Sequence, residues 1–343
     1  MKAMILAGGL STRLYPLTKQ VPKPLVPVAG VPNAVHVIAY LKSYGYDEIA
    51  INVHYLADAI HRALGDGSAF GVRLTYLHED VLMGSAGAVK AMQSFFGGET
   101  FVVVGCDDLT DLPLNRLVSM HRERDAIATI GLVIRPQVDQ YGVVVVDGDG
   151  RITGFQEKPA PGTERSKLVN TGIYAFSPRI FDRIPANEFY DFGKTVFPEL
   201  LASGERFYGF DARGAYWCDI GTPDEYRRAS FDVVDGLFRI PHARANGADP
   251  SAVIAATAHV DDNVWIGAHV RIGEHARITG PAVIGDGVRI GAGATVERSI
   301  LWEAARVGNG ASLRDAVVGA GYDVPAEALL NGAVVANEEV PAR

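Results

Sequence analysis

The chain of 343 residues is poor in cysteine, with only Cys106 and Cys218. Two cysteines do not make a disulfide framework, so we expect the reducing environment of the cytoplasm. Long apolar runs are also missing, and the first residues include neither a basic segment nor a small-residue cleavage site. We therefore expect no membrane partner and no signal peptide.

Positive charge is scarce as well, because 32 Lys and Arg residues face 40 Asp and Glu residues, for a formal net charge of -8. This balance argues against nucleic acid as a partner. If the substrates are anions, the few cations must be concentrated locally. The remaining composition, 48% hydrophobic and 21% charged, is typical of a soluble globular protein with one large and one small domain.

The first 235 or so residues alternate strand-like and helical patterns. The predicted strands are Ala3–Leu6, Ile49–Val53, Val72–Leu77, Phe101–Val104 and Ile127–Ile134, and the clearest helices are Ala34–Tyr44 and Ala86–Phe96. Such alternation predicts an α/β fold, a Rossmann-like and mostly parallel sheet with helices on both faces.

From about residue 251, aliphatic residues recur every six positions. They are Ile254, Val260, Ile266, Ile272, Ile278, Ile284, Ile290 and Val296. Period six is typical of hexapeptide repeats and predicts a short left-handed parallel β-helix of about three to four coils. The rhythm slips by one residue near Leu301 and resumes with Val307 and Leu313.

These two sequence patterns predict four segments along the chain. Residues 1–237 form the α/β domain, 238–250 a linker, 251–322 the β-helix, and 323–343 a tail of undetermined structure.

The first strand runs directly into a glycine-rich turn, Ala7-Gly-Gly-Leu-Ser-Thr-Arg13. Backbone N–H groups in such a turn, followed by an arginine, suit a phosphate, although a plain strand–helix turn explains the glycines about equally well. Two prolines flank Lys23 and stiffen its backbone. This favours a lysine charge held at a fixed position over an ordinary solvated surface lysine.

Taken with further motifs in the same order, this turn resembles the sugar nucleotidyltransferase (nucleotide-sugar pyrophosphorylase) family. The matching motifs are Leu6–Thr18, Pro22–Leu25, Gly84–Gly87, Asp107, Tyr141–Gly142, Glu157–Pro159, Asn170–Tyr174 and Trp217–Gly221. The chain departs from the family at Ser11, usually glycine, and in Gly105-Cys-Asp-Asp108, where the usual motif is Gly-Asp. Alignment favours Asp107 as the metal ligand, with Asp108 as the alternative.

The resemblance implies roles for individual residues. Nucleotide binding is assigned to Leu6, Ala7, Gly8, Gly9, Arg13, Lys23, Gly84, Ser85, Gly87 and Asp107. Sugar phosphate binding is assigned to Tyr141, Gly142, Glu157, Lys158, Asn170 and Thr171. Mg²⁺ is assigned to Asp107 and Asp219, which with Arg13 and Lys23 form the catalytic set.

These roles fit the chemistry, because two anionic reactants must be neutralised and aligned. Two carboxylates from separate elements make a hard oxygen site suited to Mg²⁺. Each residue also has a structural alternative: a turn cap for either aspartate, a surface ion pair for Glu157 and Lys158, and a helix N-cap for Ser85.

The cysteines and two histidines raise other possibilities. Cys106 and Cys218 each precede a predicted metal aspartate, but alternation along a strand predicts that they face the core rather than bind zinc. His269 and His275 lie in the repeat region, where a β-helix acyltransferase would need a base. Both occupy polar positions of the hexads, which favours a solvated face.

The motifs predict a nucleotidyltransferase that joins a sugar 1-phosphate to a nucleoside triphosphate, most similar to mannose-1-phosphate guanylyltransferases. The alternatives are UTP or dTTP with glucose 1-phosphate, a non-catalytic regulatory paralogue that binds sugar nucleotides, and the acyltransferase. By analogy with the family, we expect a homo-oligomer formed through the C-terminal domain.

Overall fold

A computed structural model of the chain describes residues 1–240 and 246–337. The part of the predicted linker at 241–245 and the last six residues of the predicted tail lie outside the described residues. Up to residue 234 the helices and strands are, in chain order, β1 (Lys2–Leu6), β2 (Pro27–Val28), β3 (Val31–Pro32), α1 (Asn33–Ser43), β4 (Glu48–Val53), α2 (Ala57–Leu64), β5 (Arg73–His78), α3 (Gly84–Ala91), α4 (Gln93–Phe96), β6 (Phe101–Gly105), β7 (Asp108–Thr110), α5 (Leu114–Glu123), β8 (Ala128–Ile134), β9 (Gly142–Val146), β10 (Ile152–Glu157), β11 (Leu168–Phe176), α6 (Phe197–Ala202), β12 (Phe207–Asp211), β13 (Trp217–Asp219) and α7 (Pro223–Val234).

The described residues group into two compact units. The first comprises Met1–Leu10 and Val37–Cys218, and the second comprises Ser11–His36 and the described residues from Asp219 onward. The domain boundaries read from the sequence stay a prediction. None of the described helices has the length and apolar character needed to cross a membrane.

The first unit contains the predicted Rossmann-like sheet. Its strands follow the order β10-β9-β11-β6-β1-β4-β5, and β8 and β12 extend it beside β11. The central strand β1 pairs in parallel with both β4 and β6. The antiparallel strand β11 joins β6 to the hairpin of β9 and β10. The five predicted strands are confirmed with ends shifted by one residue, and the second predicted helix is interrupted at Met92 between α3 and α4.

Stacked phenylalanines fill one layer of this unit's core. The rings of Phe96 and Phe101 stack with centroids 3.9 Å apart, and those of Phe176 and Phe192 stack at 4.8 Å. Near-continuous apolar residues in β6 are buried on both faces, as expected of a central strand. This packing fixes β6 firmly, and the residues that follow it carry the metal motif.

The second unit contains the predicted β-helix. Its strands are β14 (Gly247–Ala248), β15 (Val253–Ile254), β16 (His259–Val260), β17 (Val264–Ile266), β18 (Arg271–Ile272), β19 (Arg277–Thr279), β20 (Ala282–Ile284), β21 (Arg289–Ile290), β22 (Thr295–Glu297), β23 (Ile300–Leu301), β24 (Arg306–Val307), β25 (Ser312–Arg314), β26 (Val317–Val318), β27 (Asp323–Val324), β28 (Leu329–Asn331) and β29 (Val334–Val335). They form three parallel sheets of six, five and five strands, one for each face of the coil.

The repeat places the aliphatic side chains inside the coil. Ile278 and Ile284 are fully buried, whereas Ile254 in the terminal coil remains 37% exposed. Glycine follows several of these residues because the next coil passes close by. A Cβ on Gly273 would lie 2.7 Å from the backbone nitrogen of Ala292, and one on Gly285 would lie 2.8 Å from that of Glu303.

The slip in the repeat has a structural explanation. Val264 pairs with Ala282, eighteen residues later, whereas Ile284 pairs with Leu301, seventeen residues later. All later coils keep the shorter length, as in the pairing of Val317 with Val334. One corner therefore loses a residue in each later coil. The coil continues to Val335, beyond the range predicted from the repeat. The prediction ended too early because the spacing in the later coils is no longer a uniform six.

A buried hydrogen-bond chain joins three parts of the second unit. Trp302 Nε1 donates to the Tyr226 hydroxyl at 2.8 Å, and that hydroxyl donates to the Pro27 carbonyl at 2.7 Å. Tyr226 lies on α7, whose N-cap is Thr222, and the Thr222 side chain accepts from the Glu225 N–H at 3.3 Å. These hydrogen bonds hold the hairpin of β2 and β3, which follows Lys23 closely in sequence.

Candidate active site

The glycine-rich turn follows β1 in the first unit. The Ala7 N–H donates to Asn52 Oδ1 at 2.9 Å, and Gly8 lies directly over the Asn52 and Glu79 side chains. A Cβ on Gly8 would lie 2.6 Å from Glu79 Oε2 and 2.7 Å from Asn52 Nδ2. This position therefore requires glycine because of the protein's own side chains. Gly9 is exposed, and no atom lies within 4 Å of the position that a Cβ would take there, so the turn's outer side faces solvent.

Asn52 and Glu79 lie at the centre of this region, and the sequence analysis did not predict either of them as a site residue. Asn52 lies near the end of β4 and Glu79 directly follows β5. Asn52 Nδ2 donates to Glu79 Oε2 at 2.5 Å, and Glu79 Oε1 accepts from the Met83 N–H at 3.0 Å. Their place at the carboxyl ends of the parallel strands β4 and β5 was the available signal, because open α/β sheets bind ligands at that edge.

The helix α3 begins at Gly84, two residues before the predicted start at Ala86, and Ser85 is not its cap. The residue before the helix is Met83, and the Ser85 hydroxyl instead donates to Asp191 Oδ2 at 3.0 Å and accepts from the Phe192 N–H at 3.0 Å. Gly84 has φ of +74°, and a Cβ there would lie 2.5 Å from the Tyr190 carbonyl oxygen. The small residues at the start of α3 thus allow close packing against the segment that ends in Asp191.

The two adjacent aspartates after β6 have different environments. Asp108 is 5% exposed, its Oδ2 accepts from the Gly105 N–H at 3.0 Å, and its Oδ1 accepts from Trp217 Nε1 at 2.9 Å. Asp107 lies in the preceding turn and is only partly buried. Protein donors therefore hold both oxygens of Asp108, and the choice of Asp107 as the metal ligand stays a prediction from the alignment.

Both cysteines face the core. Cys106 is 5% exposed and Cys218 is fully buried, which confirms the orientation predicted from strand alternation. Among residues 1–240 and 246–337, no group of three or more His, Cys, Asp or Glu side chains is arranged to hold a metal.

Four predicted sugar-binding residues come together on the β9–β10 hairpin. Gly142 pairs with Glu157 across the hairpin, and the Lys158 N–H donates to the Tyr141 carbonyl at 3.1 Å. Lys158 adopts φ of +45°, which turns the chain sharply after β10. Although Glu157 as a residue is exposed, its carboxylate lies against Gly193, where an added Cβ would be 2.7 Å from Oε2.

The surroundings of the Glu157 carboxylate shift its pKa. Partial burial raises the pKa of Glu157 above its ordinary value, and the nearby charge of Lys158 offsets only part of that effect. The carboxylate is thus partly desolvated, which strengthens any hydrogen bond that it accepts from a ligand hydroxyl.

Asn170 and Thr171 lie in an irregular part of β11, the strand next to β9. Asn170 Nδ2 donates to the Tyr174 hydroxyl at 3.0 Å, and its Oδ1 accepts from the Gly172 N–H at 2.9 Å. Thr171 is 1% exposed, and its hydroxyl donates to the Gly131 carbonyl at 2.8 Å. The Thr171 side chain therefore shapes this bulge and is turned away from solvent.

In the second unit, Arg13, Lys23 and Asp219 come together. Lys23 Nζ lies 3.8 Å from Asp219 Oδ1, and the two side chains are 11% and 18% exposed. Both Asp219 Oδ1 and Arg13 Nη2 lie against Gly221, within 3.0 Å of where its Cβ would be. The predicted cations thus flank the predicted metal ligand, as a site for anionic groups requires.

Ser11 adopts a backbone conformation that favours glycine. Its φ of +55° and ψ of +36° lie in the left-handed region, and its carbonyl accepts from the Thr18 hydroxyl at 2.7 Å. The departure from glycine therefore keeps the loop shape at a cost in backbone strain of about 1 kcal/mol.

Two histidines, His269 and His275, lie between strands of the β-helix. His269 and His275 are exposed and have φ of +58° and +57°. Their backbone N–H groups donate to Ser251 Oγ and Thr257 Oγ1 of the preceding coil. The prediction of a solvated face is confirmed.

Comparisons with known proteins agree with this arrangement. Residues 2–236 match the family model described as nucleotidyl transferase, and residues 245–343 match the model described as GMPPB C-terminal domain. A UTP–glucose-1-phosphate uridylyltransferase of Synechocystis is 39% identical, with alignment over 96% of this chain and 92% of that protein. A mannose-1-phosphate guanylyltransferase of Mycobacterium tuberculosis is 34% identical, over 86% and 83%.

Solved structures show the same fold over about two thirds of the chain. A chain from Bacillus anthracis has a TM-score of 0.60 at 28% identity, and covers 67% of this chain and 94% of its own length. HddC from Yersinia pseudotuberculosis has a TM-score of 0.59 at 27% identity, over 67% and 97%.

Proposed function

Because the chain belongs to the sugar-1-phosphate nucleotidyltransferase family, we propose that it transfers a guanylyl group from GTP to mannose 1-phosphate or a related sugar or sugar-like 1-phosphate. The products are a GDP-sugar and pyrophosphate. The observation that supports guanylyl transfer is the match of the C-terminal residues to the GMPPB C-terminal domain, together with guanylyltransferase relatives that align over most of the chain.

The reaction joins two anions, so its barrier comes mainly from charge repulsion and alignment. Arg13 and Lys23 supply positive charge for the triphosphate and the departing pyrophosphate, and their proximity to Asp219 holds them in one place. We assign the nucleotide to the turn after β1, from Leu6 to Gly9, where the exposed Gly9 lets a ligand approach the backbone closely. No covalent intermediate is needed, because the sugar phosphate oxygen attacks the α-phosphorus directly.

The sugar phosphate is assigned to the β9–β10 hairpin and the adjoining bulge of β11. Lys158 offers a charge to its phosphate, and the partly desolvated Glu157 accepts hydrogen bonds from sugar hydroxyls. Asn170 lies on the strand next to this hairpin, and the bulge is shaped by the buried Thr171.

We assign Mg²⁺ to the carboxylates of Asp107 and Asp219. The donor set fits, because Mg²⁺ takes one or two carboxylates and completes its shell with water and substrate phosphate, so a larger protein cluster is unnecessary. When bound, the ion would neutralise charge on the phosphates. Lys23 lies beside this ligand, with Nζ 3.8 Å from Asp219 Oδ1.

A second candidate is uridylyl transfer to glucose 1-phosphate. It is supported by the 39% identity to a uridylyltransferase over nearly the whole chain, which exceeds the identity to the guanylyltransferase from M. tuberculosis. A third candidate, the regulatory paralogue, has less support because Arg13, Lys23, Asp107 and Asp219 are all present.

One experiment separates these candidates. We would measure kcat/KM by pyrophosphate release with Mg²⁺, for GTP, UTP and dTTP against mannose 1-phosphate and glucose 1-phosphate. We expect the highest value for GTP with mannose 1-phosphate. A clear preference for UTP or dTTP would replace the guanylyl assignment, and nucleotide-sugar binding without turnover would support the regulatory role.

We further propose that the protein acts in the cytoplasm as a homo-oligomer assembled through the β-helix. Exposed apolar side chains on the coil, including Val253 at 62% and Leu329 at 81%, support self-association. Light scattering at micromolar concentration should give a mass above that of one chain, and a monomeric mass would contradict assembly.

A further inference from the structure

A buried chain of hydrogen bonds connects the turn after β1 to the start of α3. The Ala7 N–H donates to Asn52 Oδ1 at 2.9 Å, Asn52 Nδ2 donates to Glu79 Oε2 at 2.5 Å, and the Met83 N–H donates to Glu79 Oε1 at 3.0 Å. Both side chains are 5% exposed. The chain therefore joins two segments that are far apart in sequence through groups shielded from water.

The chemistry of the two ends dictates which side chains can form this connection. A backbone N–H donates at each end, from Ala7 and from Met83. Each side chain must therefore accept from its own backbone N–H, and one side chain must also donate a hydrogen bond to the other. One amide and one carboxylate satisfy all of these contacts. Two amides leave two donors facing each other, and two carboxylates place like charges in contact.

We infer that Asn52 and Glu79 act as a positioning pair that sets the distance between the two segments assigned to the nucleotide, Leu6–Gly9 and Gly84–Gly87. The inference rests on the proposed function and names residues that the motifs do not contain. Gly8 supports it, because its backbone packs directly on both side chains and follows any shift in them. We assign a positioning role and not a catalytic one, since one Glu79 oxygen accepts from Asn52 and the other from the Met83 N–H.

The test exchanges the amide and the carboxylate between positions 52 and 79, so that the donor and the acceptor of their hydrogen bond change places. Glu79→Gln leaves one unavoidable donor–donor contact, whichever way the Asn52 amide turns. Combining Asn52→Asp with Glu79→Gln restores every contact, because Asp accepts from Ala7 and from the new amide, whose oxygen accepts from Met83. Asp80→Asn, at the exposed neighbouring position, is the matched control for loss of a carboxylate.

The kinetic readout is KM for each substrate, measured well below the melting temperature of every variant. We expect Glu79→Gln to raise KM for the nucleoside triphosphate on the order of tenfold, the equivalent of one buried unsatisfied group. KM for the sugar 1-phosphate should stay within about twofold of wild type. The double variant should recover most of the loss, and Asp80→Asn should behave as wild type.

The possible outcomes are distinct. A purely structural role would lower the melting temperature and the active fraction while leaving KM for the triphosphate unchanged, and this would overturn the inference. A double variant as impaired as Glu79→Gln alone would also overturn it. An inactive wild-type protein would instead overturn the proposed function, and with it the role assigned to the pair.

Discussion

Replacing Asp107 and Asp108 one at a time by asparagine should separate a metal ligand from a structural carboxylate. The two residues are adjacent and the substitutions are identical, so each variant is the control for the other. We expect Asp107→Asn to lose activity, and Asp108→Asn to lose stability because its two protein donors lose an acceptor.

The size of the stability effect follows from the contacts of Asp108. Its two oxygens accept from the Gly105 N–H and from Trp217 Nε1, and the residue is buried. An amide in its place turns an NH₂ group toward one of those donors, which costs about 1–3 kcal/mol. In a unit of this size that corresponds to a fall in Tm of about 3–10 °C.

Activity should be lowered more by Asp107→Asn than by Asp108→Asn. If Asp107 binds Mg²⁺, its loss removes electrostatic stabilisation worth a factor on the order of 100 in kcat. Pyrophosphate release at several Mg²⁺ concentrations and thermal unfolding would be measured on both variants. The reasoning is refuted if Asp108→Asn is as stable as wild type and inactive while Asp107→Asn remains active.

Two further predictions concern the second unit and the sugar site. Tyr226→Phe removes the hydroxyl that joins the buried Trp302 indole to the partly buried Pro27 carbonyl. It should lower the free energy of unfolding by about 1–3 kcal/mol in urea titrations; an unchanged midpoint would contradict it. Because burial raises the pKa of Glu157, its carboxylate protonates at a higher pH than an ordinary glutamate, so KM for the sugar phosphate should rise as pH falls through that pKa. Glu157→Gln should show no such rise beyond that of the substrate's own titration.

Local patterns were enough to predict much of the fold. Apolar runs such as Phe101–Val104 identified central strands, and the six-residue repeat identified the β-helix, because burial on both faces or inside a coil leaves a regular trace in the sequence. The same logic predicted that Cys106 and Cys218 face the core. The end of the coil was missed because the later coils are seventeen residues long, which breaks the uniform period.

The candidate site was predictable only in part. Motifs identified Arg13, Lys23 and Asp219, which the second unit brings together, and the hairpin residues Glu157 and Lys158. The prediction of Ser85 as a helix cap was wrong, because its hydroxyl is used by the segment around Asp191, more than a hundred residues later.

The sequence by itself determined the reaction class and the two kinds of architecture, because ordered motifs and periodic burial are local properties of the chain. Only the tertiary structure distinguished the environments of Asp107 and Asp108, since the distinction depends on Trp217, which is 109 positions from Asp108. It also revealed the pair formed by Asn52 and Glu79 beneath the glycine-rich turn. Donors and acceptors that meet across such separations leave no periodic trace, so they become visible only when the strands are assembled.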